Sequence, residues 1–397
     1  MARADGHRRS AARVIGGISI GVGGAVALGA VAAAALSVVF ARKIITPPTK
    51  RRDDTRILGS DATTITLERT IDALTPGRYS FWFARDTGHA RVGEILELSE
   101  TTVVRELLAV EFGDLSTASR GRFSGWFYLS PHELELPYED VAVATPVGPA
   151  PAWEFPSASP TDRWVIAVHG RAVTRQEALR AVQVFRDSGY TTLIVSYRND
   201  GDAPRSDDHR YALGDAEWLD VEAAMQYALD NGARNIVLLG YSMGGATVLQ
   251  AVTRSHLAGS VRGVILDSPV VDWVTALHYQ GVANHLPLPL RLATMRLLTQ
   301  RWARIFTGQS APIDLERLDL VRRAKELSKP ILLLHSDDDG YIPATASRAL
   351  AIARPDIVTF EAFDTALHTR LWNYDPERWN GAIRAWLETL PMGPATS

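Results

Sequence analysis

Residues 240–244 read Gly-Tyr-Ser-Met-Gly, so a lone serine stands close to two glycines, and apolar segments lie on both sides of the pattern. Between a strand and a helix, this pattern predicts a sharp turn, because glycine permits the close backbone approach that such a turn requires. The turn lifts the hydroxyl of Ser242 to the end of the strand, where the next helix directs its first N–H groups. Gly240, Ser242 and Gly244 are therefore a candidate nucleophile elbow. The alternative is that Ser242 only caps the helix.

A serine nucleophile needs a general base and a carboxylate that orients the base, and in this arrangement the carboxylate and then the histidine follow the serine along the chain. Two segments have the right order. "DDDGYIP" follows the apolar run that ends at His335, and "DTALHTRLWN" follows the run that ends at Phe363. Both would lie at strand ends, on the same edge of a sheet as Ser242. His368 is therefore the candidate base, and a loop histidine without a catalytic role is the alternative.

The elements that must position these residues are strands and helices that alternate over the C-terminal two thirds of the chain. Continuous apolar strands with amphipathic helices between them predict an α/β fold, with a mostly parallel sheet covered on both faces. A hairpin is predicted at 138–156, before the first of these strands. The strand-like runs are Trp164–Val168, Thr192–Tyr197, Ile236–Leu239, Val264–Asp267, Ile331–His335 and Ile357–Phe363.

One connection is much longer than ordinary crossover loops, because it runs from Pro269 to Lys329 with a helical middle around Leu290–Phe306. It leaves a strand at its carboxyl end, which is where ligands bind in open α/β sheets. We therefore expect residues of about 270–328 to form a helical cap over the site.

The segment 56–136 has a different pattern. "TTITLERT", "YSFWFA" and "GRFSGWFYL" are short strand-like runs that contain β-branched and aromatic residues, and no long helix is indicated between them. This predicts a small β-rich segment ahead of the α/β domain.

The stretch Val14–Phe40 carries no charge over about 27 residues, which is enough to cross a bilayer as a helix. It is longer than the apolar core of a signal peptide, so we expect a single-pass membrane anchor. A cleaved signal peptide is the alternative, and the Arg8-Arg9 pair is a weak sign of twin-arginine export. Basic residues lie on both sides, so the side of the membrane stays open, with a slight preference for the cytoplasm.

A stripe of small residues with a spacing of four would lie on one face of that helix, where a second copy could pack and form a homodimer. The alternative is a chance product of an Ala- and Gly-rich segment. The stripe consists of Gly17, Gly21, Ala25, Gly29 and Ala33.

Composition excludes several classes of function. The net charge of −3 and the lack of a basic face with aromatic residues argue against binding of nucleic acid. The chain has no cysteine, which excludes disulfides, thiolate metal sites and cysteine nucleophiles. It has no HExxH, Walker or dinucleotide-binding pattern, so we expect no metal and no organic cofactor.

Residues 137–391 resemble the α/β-hydrolase superfamily, in particular its serine-aminopeptidase and monoacylglycerol-lipase-like branch and the membrane-tethered Bem46-like hydrolases. The matching pieces are "VIAVHGR", "GYSMGG", "LLLHSDDDGYIP" and "LHTRLWN". The resemblance implies an α/β-hydrolase fold. It covers roughly two thirds of the chain, and the first 136 residues have no counterpart in the common core of the family.

The resemblance also implies roles for individual residues. His169 and Gly170 lead into the oxyanion loop, and the backbone N–H groups of Arg171 and Met243 form the oxyanion hole. The orienting carboxylate, aligned on the histidine and proline of "HSDDDGYIP", is Asp339. Its neighbours Asp337 and Asp338 are the alternatives, and Ser336 departs from the glycine usual at that position.

The prediction is a membrane-tethered serine hydrolase, like a carboxylesterase or a lipase, that cleaves a small-molecule acyl ester through Ser242, His368 and Asp339 and an acyl-enzyme intermediate. A peptidase or an acyltransferase would use the same triad. A binding protein on the same fold is disfavoured, because no position of the triad is missing. The expected divisions are a basic tail (1–13), an apolar span (14–40), a linker (41–55), the β-rich segment (56–136), the α/β-hydrolase domain (137–391) and a short tail (392–397).

Overall fold

The structure is a computed structural model and describes residues 31–48 and 51–391. The basic tail, most of the predicted apolar span and the tail at 392–397 lie outside these residues. Four members of the small-residue stripe, at positions 17, 21, 25 and 29, lie outside them too. Within the described ranges, none of the helices combines the length and the hydropathy that crossing a bilayer requires.

Residues 31–45 are helical and form α1. Ser37, Ala41 and Ile45 are buried, and their spacing of four places them on one face of the helix. Ala41 and Ile45 belong to the main apolar core. The first part of the predicted linker is therefore the docked end of a helix. The sequence analysis ended the apolar span at Phe40, just before the charged pair Arg42-Lys43, but both of these side chains are on the exposed side of α1.

The β-rich segment forms a closed six-stranded barrel, with the strand order β1-β2-β5-β4-β3-β6 and with β1 paired to β6. Its interior contains aromatic side chains, including Tyr79, Phe81 and Phe83. The β-rich character was predicted, whereas closure depends on pairing between the two ends of the segment. The elements are β1 (Thr55–Ser60), β2 (Thr64–Glu68), α2 (Ile71–Leu74), β3 (Tyr79–Phe83), β4 (Gly88–Leu98), β5 (Thr102–Phe112) and β6 (Arg120–Ser124).

The second sheet has eight strands in the order β14-β13-β12-β11-β9-β10-β8-β7. The pairs from β14 to β10 are parallel, and the hairpin β7–β8 joins β10 as an antiparallel edge. The strands are β7 (Glu139–Thr145), β8 (Gly148–Phe155), β9 (Arg163–Val168), β10 (Thr191–Val195), β11 (Asn235–Tyr241), β12 (Val261–Asp267), β13 (Ile331–Ser336) and β14 (Val358–Phe363).

Helices cover both faces of this sheet. Alternate residues of the central strands enter two separate apolar clusters: Ile166 and Leu238 face one, and Val165 and Val237 face the other. The predicted α/β-hydrolase fold is confirmed. The helices outside the long connection are α3 (Val182–Asp187), α4 (Trp218–Asp230), α5 (Met243–Arg254), α9 (Thr345–Ala353), α10 (Leu371–Tyr374) and α11 (Pro376–Thr389).

The long connection after β12 contains three helices: α6 (Trp273–Ala283), α7 (Leu288–Thr299) and α8 (Arg304–Thr307). The sequence pattern indicated only its middle. The first helix begins earlier because Asp272 caps it, and its carboxylate accepts from the N–H groups of Val274 and Thr275.

Candidate active site

Ser242 lies at the junction of β11 and α5 with φ of 50° and ψ of −114°, in the left-handed region that non-glycine residues rarely adopt. The surrounding glycines make this turn possible. A Cβ at Gly240 would lie 2.6 Å from the backbone of Gly244, and one at Gly244 would lie 2.3 Å from Val168 O. The glycine pattern is therefore explained by the close approach of backbone on both sides of the serine.

The structure brings Ser242, His368 and Asp339 together. Nε2 of His368 is 2.9 Å from Oγ of Ser242, and Nδ1 of His368 is 2.7 Å from Oδ2 of Asp339. Ser242 and Asp339 are buried, while the side chain of His368 keeps 18% of its exposure and can meet a substrate. This is the geometry in which the imidazole can take a proton from the hydroxyl while the carboxylate fixes its tautomer.

The carboxylate of Asp339 is held on both sides. Oδ1 accepts the backbone N–H groups of Tyr341 at 2.9 Å and Ile342 at 2.6 Å, and His335 lies 3.3 Å from Oδ2. Burial opposes ionisation of this group, but the interactions with His368 and His335 outweigh it and hold the pKa of Asp339 below its usual range. Asp339 is therefore charged wherever the protein is folded at ordinary pH.

The alternative carboxylates lie elsewhere. Asp337 pairs with Arg348 at the surface, and Asp338 is exposed. Asp339 is the member of the acidic run whose carboxylate contacts His368. The two neighbours remain available as matched controls.

Hydrogen bonds fix the oxyanion loop on several sides. The N–H of Gly170 donates to Glu177 at 2.7 Å, and Gly170 O accepts from the hydroxyl of Tyr197 at 2.7 Å. The peptide is trans, so the N–H of Arg171 points away from Tyr197. The ring of His169 stacks on that of Tyr197 at 4.2 Å. Burial lowers the pKa of His169 to about 4, so this ring is neutral and structural.

The second predicted oxyanion donor, Met243, is the first residue of α5. Its N–H is one of the first-turn donors that have no carbonyl partner within the helix. Gly170 lies next to the serine, since a Cβ there would be 3.3 Å from Cβ of Ser242. The loop and the helix start thus flank the hydroxyl.

A pocket of about 440 Å³ opens beside Ser242. The cap lines one side of it with apolar side chains, and α1 lines another. The lining residues include Trp273, Ala276, Leu277, Leu286 and Met295 of the cap, and Phe40, Ile44 and Pro48 of the N-terminal segment. This is a site of the size and polarity that suit an acyl chain.

Sequence reasoning missed several supports of the site. Ser268 follows β12 and accepts the N–H of Thr369, directly after His368, at 3.1 Å. The feature of the sequence that could have indicated Ser268 is its position at the carboxyl end of a predicted strand. No sequence pattern marks Glu177 or Tyr197 as part of the site, and none indicates that α1 contributes to it. In the described ranges, no cluster of three or more histidine or acidic residues has a geometry that could hold a metal ion.

Comparison with known families gives two matches. A model described as "Alpha/beta hydrolase family" matches residues 165–382, from β9 into α11. A model described as "Domain of unknown function (DUF8805)" matches residues 56–124, which is the barrel. The resemblance stated from the sequence is confirmed, and the barrel corresponds to a family of its own.

Curated relatives are distant. The human Protein ABHD12B is 25% identical over 194 residues, which are 47% of this chain and 48% of that protein. The Uncharacterized protein YqkD of Bacillus subtilis is 24% identical over 190 residues, which are 48% of this chain and 59% of that protein. The chain thus spans about half the length of the curated relatives it matches.

Among solved structures, the Pyrococcus furiosus esterase Pf2001 superposes with a TM-score of 0.52 and 19% identity. The match covers 67% of this chain and 95% of that one. At this level of identity the similarity shows a common fold.

Proposed function

The chain belongs to the alpha/beta hydrolase family and is a hydrolase enzyme, and from this premise we propose that it cleaves acyl esters through a Ser242–His368–Asp339 triad and an acyl-enzyme intermediate. The observation that carries the proposal is the continuous path of two hydrogen bonds from Asp339 through His368 to Oγ of Ser242. The apolar pocket beside the serine supports an acyl substrate.

In this mechanism Oγ of Ser242 attacks the carbonyl carbon of the ester while Nε2 of His368 takes its proton. The N–H groups of Met243 and Arg171 stabilise the oxyanion that forms. His368 then protonates the departing alcohol, and release of the alcohol leaves Ser242 acylated. Water attacks the acyl-enzyme with His368 as base, and the acid leaves as Ser242 regains its proton. Asp339 stays ionised throughout and stabilises the imidazolium.

The first experiment is labelling with a fluorophosphonate probe. The wild type should be labelled, and Ser242→Ala should not, because the probe reacts with the activated hydroxyl alone. Ser255→Ala, which removes a serine hydroxyl outside the site, is the matched control and should label as the wild type does. Equal labelling of wild type and Ser242→Ala would refute the assignment.

A substrate panel separates the related activities. p-Nitrophenyl esters of increasing chain length, aminoacyl amides and an added acceptor alcohol report ester hydrolysis, peptidase activity and acyl transfer respectively. We expect the esters to give the highest kcat/KM, because the pocket offers apolar contact to an acyl chain. Faster turnover of the amides would favour a peptidase.

We also propose that the apolar stretch Val14–Phe40 tethers the enzyme to a membrane as a single-pass anchor, with a homodimer contact along the stripe. Its last residues, from Ser37 on, are docked on the domain, so the residues ahead of them would cross the bilayer. Extraction of cell membranes with alkaline carbonate tests this: an anchored protein stays in the pellet. Protease treatment of intact cells then reports on which side the catalytic domain lies. Release of the full-length chain by carbonate would contradict the anchor.

A further inference from the structure

The C-terminus of α1 contacts the oxyanion loop directly. Nε and Nη2 of Arg171 donate to the carbonyl oxygens of Ile44 and Lys43, each at 2.9 Å. These are two of the last four carbonyls of α1, which have no partner within the helix. A guanidinium at this end also interacts favourably with the helix dipole. The side chain of Arg171 is therefore a C-terminal cap for α1.

The other two terminal carbonyls of α1 are bound as well. Thr46 N donates to Arg42 O at 2.9 Å, and Tyr211 N donates to Ile45 O at 2.7 Å. The guanidinium of Arg171 lies 5.2 Å from the ring centre of Tyr211. The end of the helix, the oxyanion loop and the segment around Tyr211 thus form one bonded unit.

A second contact joins the loop to a residue just ahead of the barrel. Arg51 donates to the carbonyl oxygen of Ala172, a residue with φ of 63° in the left-handed region. The same guanidinium is 5.4 Å from the ring centre of Trp126. The side chain of Arg171 is therefore bonded to α1, and the carbonyl of Ala172 is bonded to Arg51, which follows the segment 31–48 in the chain.

The N-terminal segment also lines the pocket. Phe40, Ile44 and Pro48 are among the lining residues, together with Trp273 and Met295 of the cap. Ile44 packs against the main core, and Ala41 and Ile45 on the same helix are completely buried. One wall of the pocket is thus built on a helix that lies outside the catalytic sheet and outside the cap.

Resting on the proposed ester hydrolysis, we propose that residues 31–48 complete the active site. They form a wall of the acyl-binding pocket, and through the side chain of Arg171 they hold the oxyanion loop in position. Arg171 has two separable roles: its backbone N–H binds the oxyanion, and its guanidinium is a positioning group. The acyl chain of the substrate lies between α1 and the cap.

The positioning role is tested with Arg171→Met in the full-length chain, which removes both hydrogen bonds and keeps the backbone N–H. We expect kcat on p-nitrophenyl acetate to fall at least about tenfold with KM within about twofold, because loss of a well-placed oxyanion donor lowers kcat by about 100-fold to 1,000-fold. Arg171→Lys keeps the charge and one bond, and should recover part of kcat.

Arg69→Met is the control for this change. Its guanidinium also donates to a backbone carbonyl, that of Ser99 at 2.8 Å, but it lies in the barrel and does not contact the oxyanion loop. We expect its kcat to stay within about twofold of the wild type. A kcat of Arg171→Met equal to that of Arg69→Met would overturn the positioning role.

The wall is tested with Ile44→Trp, which fills the pocket from the side of α1. We expect the ratio of kcat/KM for p-nitrophenyl decanoate to kcat/KM for the acetate to fall at least about tenfold, because the longer chain needs the filled volume. Val39→Trp is the control, since Val39 is 58% exposed on the same helix. If kcat/KM of Ile44→Trp depends on the acyl chain length as that of the wild type does, the proposal that α1 forms a wall of the pocket is overturned.

These outcomes differ from a failure of the proposed function. If wild type and Ser242→Ala hydrolyse and label alike, the triad itself is refuted. If Ser242→Ala is inactive while Arg171→Met and Ile44→Trp behave as their controls do, the triad stands and the contribution of residues 31–48 is refuted. Should Arg171→Met not fold by circular dichroism, Arg171→Lys, which loses one of the two hydrogen bonds, replaces it, and a kcat equal to that of the control would overturn the positioning role.

Discussion

At the scale of single residues, the two oxygens of the Asp339 carboxylate have different hydrogen-bond partners and different tasks. One oxygen is fixed by the backbone N–H groups of Tyr341 and Ile342, and the other is bound to His368. The backbone contacts set the position of the group, and the contact with His368 sets the tautomer of the ring. A substitution can therefore change the tautomer of His368 while the side chain at position 339 keeps nearly the same place.

Asp339→Asn makes use of this separation. An amide would keep the shape but would donate to Nδ1 of His368, which leaves Nε2 protonated and unable to accept the proton of the serine. We expect kcat to fall by about 1,000-fold to 10,000-fold, as measured on a p-nitrophenyl ester. Asp337→Asn, at the surface pair with Arg348, should stay within about twofold. An Asp339→Asn enzyme within tenfold of the wild type would contradict the role of this carboxylate.

A second buried carboxyl, that of Asp200, accepts a hydrogen bond from Tyr211, whose ring lies beside the guanidinium of Arg171. Burial raises the pKa of Asp200 to about 7, and the negative charge of Glu217 acts in the same direction, while Tyr211, Tyr197 and the charge of Arg171 oppose the rise. The unfolded chain loses this proton at lower pH. The folded state therefore holds more protons between about pH 4 and 7, and the free energy of unfolding falls across that window as pH rises.

Asp200→Asn should remove this contribution, because the amide does not titrate. We expect Tm of the variant minus Tm of the wild type to become more positive between pH 4.5 and pH 7.5, as measured by thermal unfolding. The exposed neighbour Asp202 provides the control, since Asp202→Asn should leave the pH dependence of Tm unchanged. Parallel curves for Asp200→Asn and the wild type would contradict the assignment.

At the scale of elements, the barrel contacts the segment that follows His368. Asn373 in α10 donates through its amide to Arg78 O at 2.9 Å and accepts from Arg180 at 3.1 Å, while Arg78 N donates to Asn373 O at 3.0 Å. Arg370, two residues after His368, pairs with Asp72 of α2. The barrel thus supports the loop that carries His368.

Asn373→Ala should lower the free energy of unfolding by about 1–3 kcal/mol, because it leaves buried polar partners without a hydrogen bond. Urea unfolding measures this. Asn231→Ala is the control, since that amide bonds Tyr227 O on the exposed end of α4 and should change stability by less than about 0.5 kcal/mol. Equal effects of the two substitutions would show that the contact with the barrel does not support the loop.

At the scale of the whole molecule, the described residues form three apolar clusters, two on the faces of the central sheet and one inside the barrel. The barrel core around Phe81 shares no residue with the two clusters that cover the central sheet. A unit with its own core can in principle fold alone, and the hydrogen bonds around Asn373 connect it to the rest. We therefore expect the barrel and the catalytic domain to unfold in separate steps.

Phe81→Ala tests this by scanning calorimetry. The loss of a fully buried ring costs about 3–5 kcal/mol, so the transition of the barrel should move to lower temperature while that of the catalytic domain stays in place. Phe185→Ala, in the cluster on one face of the central sheet, should move the other transition. A single transition that both variants shift equally would show one cooperative unit.

The sequence by itself determined the alternating strands and helices of the sheet, the turn at Ser242 and the order of Ser242, Asp339 and His368. These features depend on periodicity and on the steric needs of a tight turn, which nearby residues set. The choice of Asp339 among three acidic neighbours came from the resemblance, and the contact of this residue with His368 is visible only in the fold.

Only the tertiary structure decided the closure of the barrel, the docking of α1 and the support of the oxyanion loop by Glu177, Tyr197 and Arg171. Each of these depends on contacts between residues far apart in the chain. Arg171 and Ile44, for example, are separated by more than a hundred residues that include the whole barrel. Such contacts result from many weak packing interactions summed over the folded molecule, and no local pattern of residue types records them.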